Sequence, residues 1–502
     1  MTFETLVRPN FYRDSVALMR LAADLEALPG IEQASAIMAT EANLAMLAET
    51  GAAPDAITAG PNDLLVVVTG ADETSLAAAL EHAAARLDGE VPKAPLGGSE
   101  APRRPRSLVE AAAMTPAATL ALISCPGEYA AAEAMKALRL GLDTMIFSDN
   151  VSLDDEVALK TLAEAEGRLV MGPDCGTAII NGVPLGFANI VRRGPVGIIA
   201  ASGTGLQQVA CLLDRFAVGI SQAIGTGGRD LSDAVGGTTM LSAIDALSED
   251  PETKRLVLIS KPPGKAVAAR VIERAGRAGK PVVVAFIGSE PPAEAPANVT
   301  FAATLEETAT LAAGAEALPS ATDAATIADL AAGFAAGQRR LVGLYSGGTF
   351  SAETKVIAKP VLGDIRSNDV SDAGGHVVLD LGDDVFTRGR PHPMINFGIR
   401  TEHIRAAAEN EATAVVLLDV VLGRGAHPDP AGALVPAIEE AGAIAKSNGR
   451  HLVFVGFICG TEADPQRLSA QEAVLARAGM VLEPSNAAAV GTAIRILQET
   501  HR

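Results

Sequence analysis

Val196-Gly197-Ile198-Ile199-Ala200-Ala201 runs straight into Ser202-Gly203-Thr204-Gly205, and Leu341-Val342-Gly343-Leu344-Tyr345 runs into Ser346-Gly347-Gly348-Thr349. Each is a short apolar run that turns through glycines into a stretch of helical character. Such a turn leaves unpaired backbone N–H groups at the positive end of a helix dipole, an arrangement that suits an anion. A similar series of motifs follows each turn. Gly225-Thr226-Gly227-Gly228-Arg229-Asp230 has its counterpart in Asp380-Leu381-Gly382-Asp383-Asp384. The strand Leu256 to Ile259, ending in Ser260-Lys261-Pro262-Pro263-Gly264, matches Ala414 to Leu418, ending in Asp419. Lys280-Pro281-Val282-Val283-Val284-Ala285-Phe286-Ile287-Gly288 matches the apolar run from Arg450 to Gly460. The spacing between counterparts grows steadily along the chain, as loop insertions would make it. The sequence therefore reads as a duplicated domain with two phosphate-seeking helix ends.

Working outward, residues from Ser107 alternate strand and helix. Thr119 to Ser124 is a strand that turns at Cys125-Pro126-Gly127-Glu128-Tyr129 into a helix Ala130 to Arg139. Thr144 to Ser148 is the next strand, followed by a helix Asp154 to Glu166 and a strand that begins at Leu169 and runs into Gly172-Pro173-Asp174-Cys175-Gly176. This alternation predicts an α/β protein of several doubly wound parallel-sheet domains, with ligands at the carboxyl ends of the strands. The expected division is a small N-terminal α/β domain at 1–91, a linker at 92–106, a Rossmann-like domain at 107–190, and the duplicated domains at 191–330 and 331–502. In the first of these, Asp14-Ser15 caps a helix through Leu25, Ala34 to Met38 and Asp63 to Val68 are strands, and Thr74 to Leu87 is a helix. Prolines and glycines between Val91 and Pro105 mark the linker.

The 502 residues suit about three or four domains. With 48% hydrophobic and 20% charged residues the chain is globular, and with aromatics at 3% and no Trp its core must be built from Ala, Val, Leu and Ile. A net charge of −20 and the absence of a basic stripe beyond Arg103-Arg104-Pro105-Arg106 exclude a nucleic-acid footprint. Small anions remain suitable, because local dipoles and a few arginines outweigh a distant acidic surface. The four cysteines lie far apart without metal-ligand spacing, and no apolar run spans a bilayer. The expectation is a reduced, cytoplasmic protein with no metal and no membrane partner.

Candidate chemistry lies in three places. The two turns supply Ser202, Gly203, Thr204, Gly205, Ser346, Gly347, Gly348 and Thr349 as phosphate-binding positions, opposed across one pseudo-twofold interface. Gly227 and Gly228 admit close backbone approach of a ligand, and Arg229 offers a bidentate fork, with Asp230 either its surface partner or part of the loop. Arg388-Gly389-Arg390-Pro391-His392-Pro393, just after Asp383-Asp384, is the densest polar cluster; its arginines and aspartates suit substrate binding and His392 suits proton transfer. His427 also falls after a strand, and Cys175 reads as a small buried thiol.

Taken in order, Ser124-Cys125-Pro126-Gly127-Glu128-Tyr129, Met145-Ile146-Phe147-Ser148-Asp149-Asn150, Gly172-Pro173-Asp174-Cys175-Gly176-Thr177, Gly227-Gly228-Arg229-Asp230-Leu231-Ser232, Asp380-Leu381-Gly382-Asp383-Asp384 and Gly389-Arg390-Pro391-His392-Pro393 resemble the FdrA family. That family is itself similar to the α subunit of succinyl-CoA synthetase with its partner's carboxyl-terminal domain fused on. The resemblance implies a CoA-binding Rossmann-like domain followed by two flavodoxin-like domains of the synthetase type. It also implies two facing helices that in the synthetases hold a phosphohistidine, here those opened by Ser202 and Ser346. The histidine would fall after Val282 to Phe286, where this chain has Ile287-Gly288-Ser289-Glu290, and no histidine lies between His82 and His376. No ATP-grasp domain is present. The resemblance therefore implies oxamate carbamoyltransferase chemistry in purine degradation, oxalurate plus phosphate giving oxamate and carbamoyl phosphate, carried out with companion subunits. In that reaction Arg229, Arg388 or Arg390 holds the substrate carboxylate and His392, with Arg390 and Arg229, serves catalysis. The alternative is an acyl-CoA synthetase-like enzyme that forms a CoA thioester with a partner-supplied nucleotide site. Phosphate is then a substrate, and CoA a further ligand.

Overall fold

Local rules of capping and apolar periodicity account for the first elements of the computed structural model, which describes residues 2–49, 58–89, 105–371, 374–388 and 390–499. The chain forms two compact units: Met1–Val170 with Asp384–Asn396, and Met171–Asp383 with Phe397–Arg502. The expected linker lies mostly outside the described residues, as does Gly389.

The first unit opens with β1 (Thr2–Arg8), α1 (Ser15–Glu26), β2 (Ile31–Met38), α2 (Glu41–Glu49), β3 (Leu64–Gly70) and α3 (Glu73–Gly89). Asp14 starts α1 as expected, accepting from the Ala17 N–H at 3.0 Å. β3 is the unbroken run Leu64-Leu65-Val66-Val67-Val68 and lies at the centre of an antiparallel sheet of order β1-β3-β2. Its alternate residues face two clusters. Leu64, Val66 and Val68 meet Leu18, Leu21, Leu25, Leu76 and Ala83, while Leu65 and Val67 meet Leu47. A strand buried on both faces needs this continuous apolar run rather than an alternating one.

The same unit continues through α4 (Leu108–Met114), β4 (Leu120–Ile123), α5 (Gly127–Arg139), β5 (Asp143–Ile146), α6 (Leu153–Glu166) and β6 (Val170–Met171), with sheet order β4-β5-β6. Ser152 caps α6 through the Asp155 N–H, and Gly167 ends it in the left-handed conformation. Ala130, Ala134 and Leu138 face Ile123 and Ile146, the small-residue helix–sheet packing expected of a chain so poor in aromatics.

The second unit begins with β7 (Thr177–Ile180), β8 (Val183–Gly186), β9 (Arg193–Ala200), α7 (Gly203–Arg215), β10 (Ile220–Gly225), α8 (Thr238–Glu249), β11 (Arg255–Ser260), α9 (Lys265–Gly276), β12 (Val282–Phe286) and β13 (Val299–Phe301). After α10 (Leu305–Ala313) and α11 (Ala324–Ala332) come β14 (Arg340–Tyr345), α12 (Gly348–Leu362), β15 (Ile365–Ser367) and β16 (His376–Asp380). Then α13 (Asp384–Thr387), which groups with the first unit, precedes α14 (Gly398–Glu409), β17 (Thr413–Val421), α15 (Pro430–Ser447), β18 (Val453–Cys459), α16 (Leu468–Arg477), β19 (Val481–Glu483) and α17 (Asn486–Glu499).

Two sheets organise this unit. One has the order β13-β12-β11-β9-β10-β7-β8 and the other β15-β16-β14-β17-β18-β19. Read from the first strand of each repeat, β10-β9-β11-β12-β13 and β16-β14-β17-β18-β19 share the order 2-1-3-4-5, with parallel pairing throughout. This is the flavodoxin-like doubly wound order, and its repetition shows the duplication in the topology itself. The hairpin β7–β8 adds antiparallel strands outside β10 in the first sheet, and β15 extends the second beyond β16. In a 2-1-3-4-5 sheet the connections leave strands 1 and 3 in opposite directions, opening a crevice at their carboxyl ends. The two crevices lie beyond β9 and β11, and beyond β14 and β17.

Candidate functional site

The crevice beyond β9 is bounded by the turn that starts α7. Ser202 is its N-cap: the side-chain oxygen accepts from the Gly205 N–H at 2.9 Å. The same oxygen is hydrogen-bonded to Thr349 Oγ1, at 2.5 Å, on the first turn of α12. A Cβ added at Gly347 would lie 2.3 Å from Thr204 Cγ2, so only glycine lets the two first turns come this close. The helix ends therefore meet directly, with Thr204 and Thr349 buried between them. Ser202, Gly203 and Gly348 retain solvent access at the rim. Two positive dipole ends converge on that rim.

Two side chains border it at α12. A Cβ at Gly348 would meet Asp380 Oδ2 at 2.6 Å and Lys261 Nζ at 3.4 Å. Lys261 leaves the end of β11 and Asp380 closes β16 beside Tyr345. Asp380 is half-buried, and desolvation pushes its carboxyl up to about 6 despite Lys261 and the Gly382 N–H, with Asp383 and Asp419 adding repulsion. Lys355, farther along α12, donates to Ser367 Oγ at 2.9 Å, and burial together with the Lys261 charge holds its ammonium below the usual lysine range.

The crevice beyond β14 is filled by the protein itself. Asp419, inside β17 rather than at its end, accepts from the Ser346 N–H at 2.9 Å, from the Ser346 hydroxyl and from Arg400. Arg400, on the first turn of α14, also donates to the carbonyls of Asp419 at 2.6 Å and Leu344 at 3.3 Å. Both ionic side chains are almost fully buried, at 1% and 0% exposure. Ser346 was expected among the phosphate-binding positions; its N–H and hydroxyl are committed to Asp419. Close by, Glu353 on α12 accepts from the Leu305 N–H at 2.6 Å and from Asn486 Nδ2 at 2.7 Å, and burial pushes its carboxyl up to about 7.

The remaining expected residues divide between the units. Gly227, at φ +86°, packs against the backbone of Gly172 and Pro173, where a Cβ would meet the Pro173 carbonyl at 2.4 Å. Its missing Cβ admits this close packing of the turn. Gly228 and Arg229 are exposed, whereas Asp230 is buried and accepts from the N–H groups of Thr239 and Met240, capping α8 in place of the side chain that Gly237 lacks. Asp383 accepts from Asn368 Nδ2 at 3.2 Å. Asp384, Arg388, Arg390 and His392 belong to the first unit. There Asp384 and Arg388 are exposed, Arg390 and His392 are half-buried, and His392 Nδ1 accepts from the Met394 N–H at 3.2 Å. Asn396 ties this segment to α1 through Glu26 at 2.7 Å. His427 Nδ1 accepts from the Asp429 N–H, and Cys175 is buried with its thiol donating to the carbonyls of Gly225 and Thr177. Sequence reasoning passed over Lys261, Asp380 and Arg400 as functional side chains. The available signal was that Lys261 and Asp380 each end a strand next to a glycine turn.

The chain is 41% identical to the uncharacterized protein YahF of Escherichia coli K12 over 97% of both chains. It belongs to the YahF family. Residues 344–496 of this YahF-family chain match the CoA-ligase family model, a span that begins at β14 and takes in both Ser346 and Arg400. The α subunit of the ADP-forming succinate–CoA ligase of Staphylococcus aureus is 30% identical over 36% of this chain and 60% of its own length, so the chain spans about three fifths of that relative. Among solved structures, the ATP citrate lyase of Methanothrix soehngenii in complex with citrate and coenzyme A aligns with 42% of this chain and 37% of its own, at 21% identity and a TM-score of 0.33. Residues 1–103 match the heavy metal-associated domain of AllF. A metal does not fit there: those residues include no cysteine and one histidine, His82, which is exposed on α3. Among the described residues no group of three or more His, Cys, Asp or Glu is placed to hold an ion. Nor is any described helix long and apolar enough to cross a membrane.

Proposed function

We propose that the chain is a CoA-ligase-like enzyme that moves an acyl group between phosphate and a second acceptor, with the acyl phosphate as the activated species. The observation that carries this reading is the meeting of two helix N-termini at Ser202 and Thr349, with Gly203, Gly348 and Lys261 open beside them. Fixed backbone donors at that rim steady the charge of phosphate in the ground state and of the oxyanion during transfer, without reorganising. The similarity of residues 344–496 to the CoA-ligase model supports the thiol of CoA as acceptor. In that direction the thiol sulfur bonds to the acyl carbon, the carbon–oxygen bond to phosphate breaks, and the thiol proton leaves with phosphate. A companion subunit supplies the nucleotide site where acyl phosphate must first be made.

A second reading is favoured by Ile287-Gly288-Ser289-Glu290, which stands where the synthetases' phosphohistidine would fall. Phosphate is then used free, as in FdrA-type carbamoyl transfer from oxalurate to give oxamate and carbamoyl phosphate. Arg229, in the same unit as the paired helix ends, holds the substrate carboxylate in this reading. Both readings are tested together. The purified full chain, alone and with candidate companion subunits, is incubated with acetyl phosphate plus CoA, and separately with oxalurate plus phosphate. Thioester formed without ATP supports the first reading and carbamoyl phosphate the second. Neither product with companions present overturns both.

A further inference from the structure

The rim of α12 carries its own anion. A Cβ at Gly348 would come within 2.6 Å of Asp380 Oδ2 and 3.4 Å of the Lys261 ammonium, so both groups border the open first turn of α12. The two come from different sheets, β16 and β11, and meet at this helix end. A carboxylate at a helix N-terminus beside a lysine satisfies both, and so competes with any anion that seeks the same place.

We propose that Lys261 is the cationic partner of the phosphate group at this rim and that Asp380 is an internal competitor which must be protonated for the phosphate to bind well. This deepens the phosphate reading above and rests on it. The groups facing Asp380 fix the direction of the effect. Lys261 after β11 favours its ionised form; Asp383 after β16 and Asp419 in β17 oppose it, and Lys355 on α12 adds a second positive charge to the cluster. Burial outweighs the lysine, so the carboxyl changes state near pH 6. Below that pH the rim presents Lys261 and the helix dipoles to an anion; above it, a carboxylate occupies the position.

The test is anion binding by the full chain, followed calorimetrically from pH 5 to 8, with inorganic phosphate and with sulfate. Sulfate keeps one charge state across this range, so its profile reports the protein's groups alone. Wild type is expected to lose about tenfold in sulfate affinity from pH 5 to 8, as a facing carboxylate ionises. Asp380→Asn, which keeps the acceptor for the Gly382 N–H, is expected to flatten that profile and bind phosphate about tenfold more tightly at pH 8. Lys261→Ala alters an exposed side chain and is expected to weaken both anions about tenfold at every pH. If wild type binds neither anion at any pH, the phosphate reading itself fails. If wild type binds but Lys261→Ala binds equally well, or Asp380→Asn keeps the wild-type pH profile, this inference is overturned while the phosphate reading stands.

Discussion

Arg400 and Asp419 place a full charge pair between β14 and β17, with Ser346 and the Leu344 carbonyl adding hydrogen bonds in that crevice. Such a pair adds little when whole, because desolvation offsets its attraction, but breaking it strands a charge. Arg400→Met is expected to lower stability by about 3–5 kcal/mol in urea denaturation. The double variant Arg400→Met/Asp419→Leu, which buries no charge, should recover part of that loss. Glu353 makes a different prediction. Its carboxyl sits at about 7 in the folded chain, above the 4.5 of an ordinary glutamate, so the folded state holds a proton that the unfolded state has released. The group's contribution to stability is therefore greatest below pH 4.5, declines as pH rises through that window and is lost above 7, by roughly 3 kcal/mol at most. Glu353→Gln should remove this slope: measured by denaturation at pH 5 and pH 8, the variant gains on wild type as pH rises. An equal difference at both pH values would show that the buried carboxyl does not titrate there.

At the scale of elements, the contact between α7 and α12 depends on a cap and a missing Cβ. Ser202→Ala removes both the cap on the Gly205 N–H and the bond to Thr349. It is expected to cost about 1–2 kcal/mol, read as a lower denaturation midpoint. Gly347→Val should do more, forcing the turns apart against Thr204 and reducing phosphate binding about tenfold or more while the far-ultraviolet circular dichroism stays as in wild type. Unchanged phosphate affinity in this variant would separate the helix contact from the site. The elements themselves were legible in the sequence because each carries a local signal. Asp14 announces a helix start, Leu64 to Val68 has the continuous apolar run of a doubly covered strand, and the two Ser-Gly turns repeat at the heads of matching series. What binds those elements together was not legible. Asp419 reads as the end of a strand until Arg400, on a neighbouring helix, is seen to need a buried acceptor. Asp230 reads as a surface partner for Arg229 until the start of α8 turns its bare N–H groups toward it. Gly227 resembles a ligand-approach glycine because close packing against a backbone turn and close approach to a ligand ask for the same missing Cβ. Lys261 and Asp380 end strands of different repeats, and only the docking of one repeat on the other makes them neighbours.

Over the whole molecule, a net charge of −20 works against compactness through self-repulsion that dissolved salt screens. Raising sodium chloride from 20 to 500 mM is expected to lift the thermal midpoint by a few degrees; a fall would show that local ion pairs outweigh the global repulsion. The duplication has a consequence of its own. Two copies of a 2-1-3-4-5 sheet bring two crevices, yet one is closed by a guanidinium tethered on the same chain, at an effective concentration that no dissolved competitor matches. The second repeat is thus a receptor already occupied by its own side chain, and its helix α12 offers the surface on which Ser202 meets Thr349. A titration with sulfate should accordingly reach a stoichiometry of one anion per chain at the paired helix ends, half of what the symmetry of the fold would suggest.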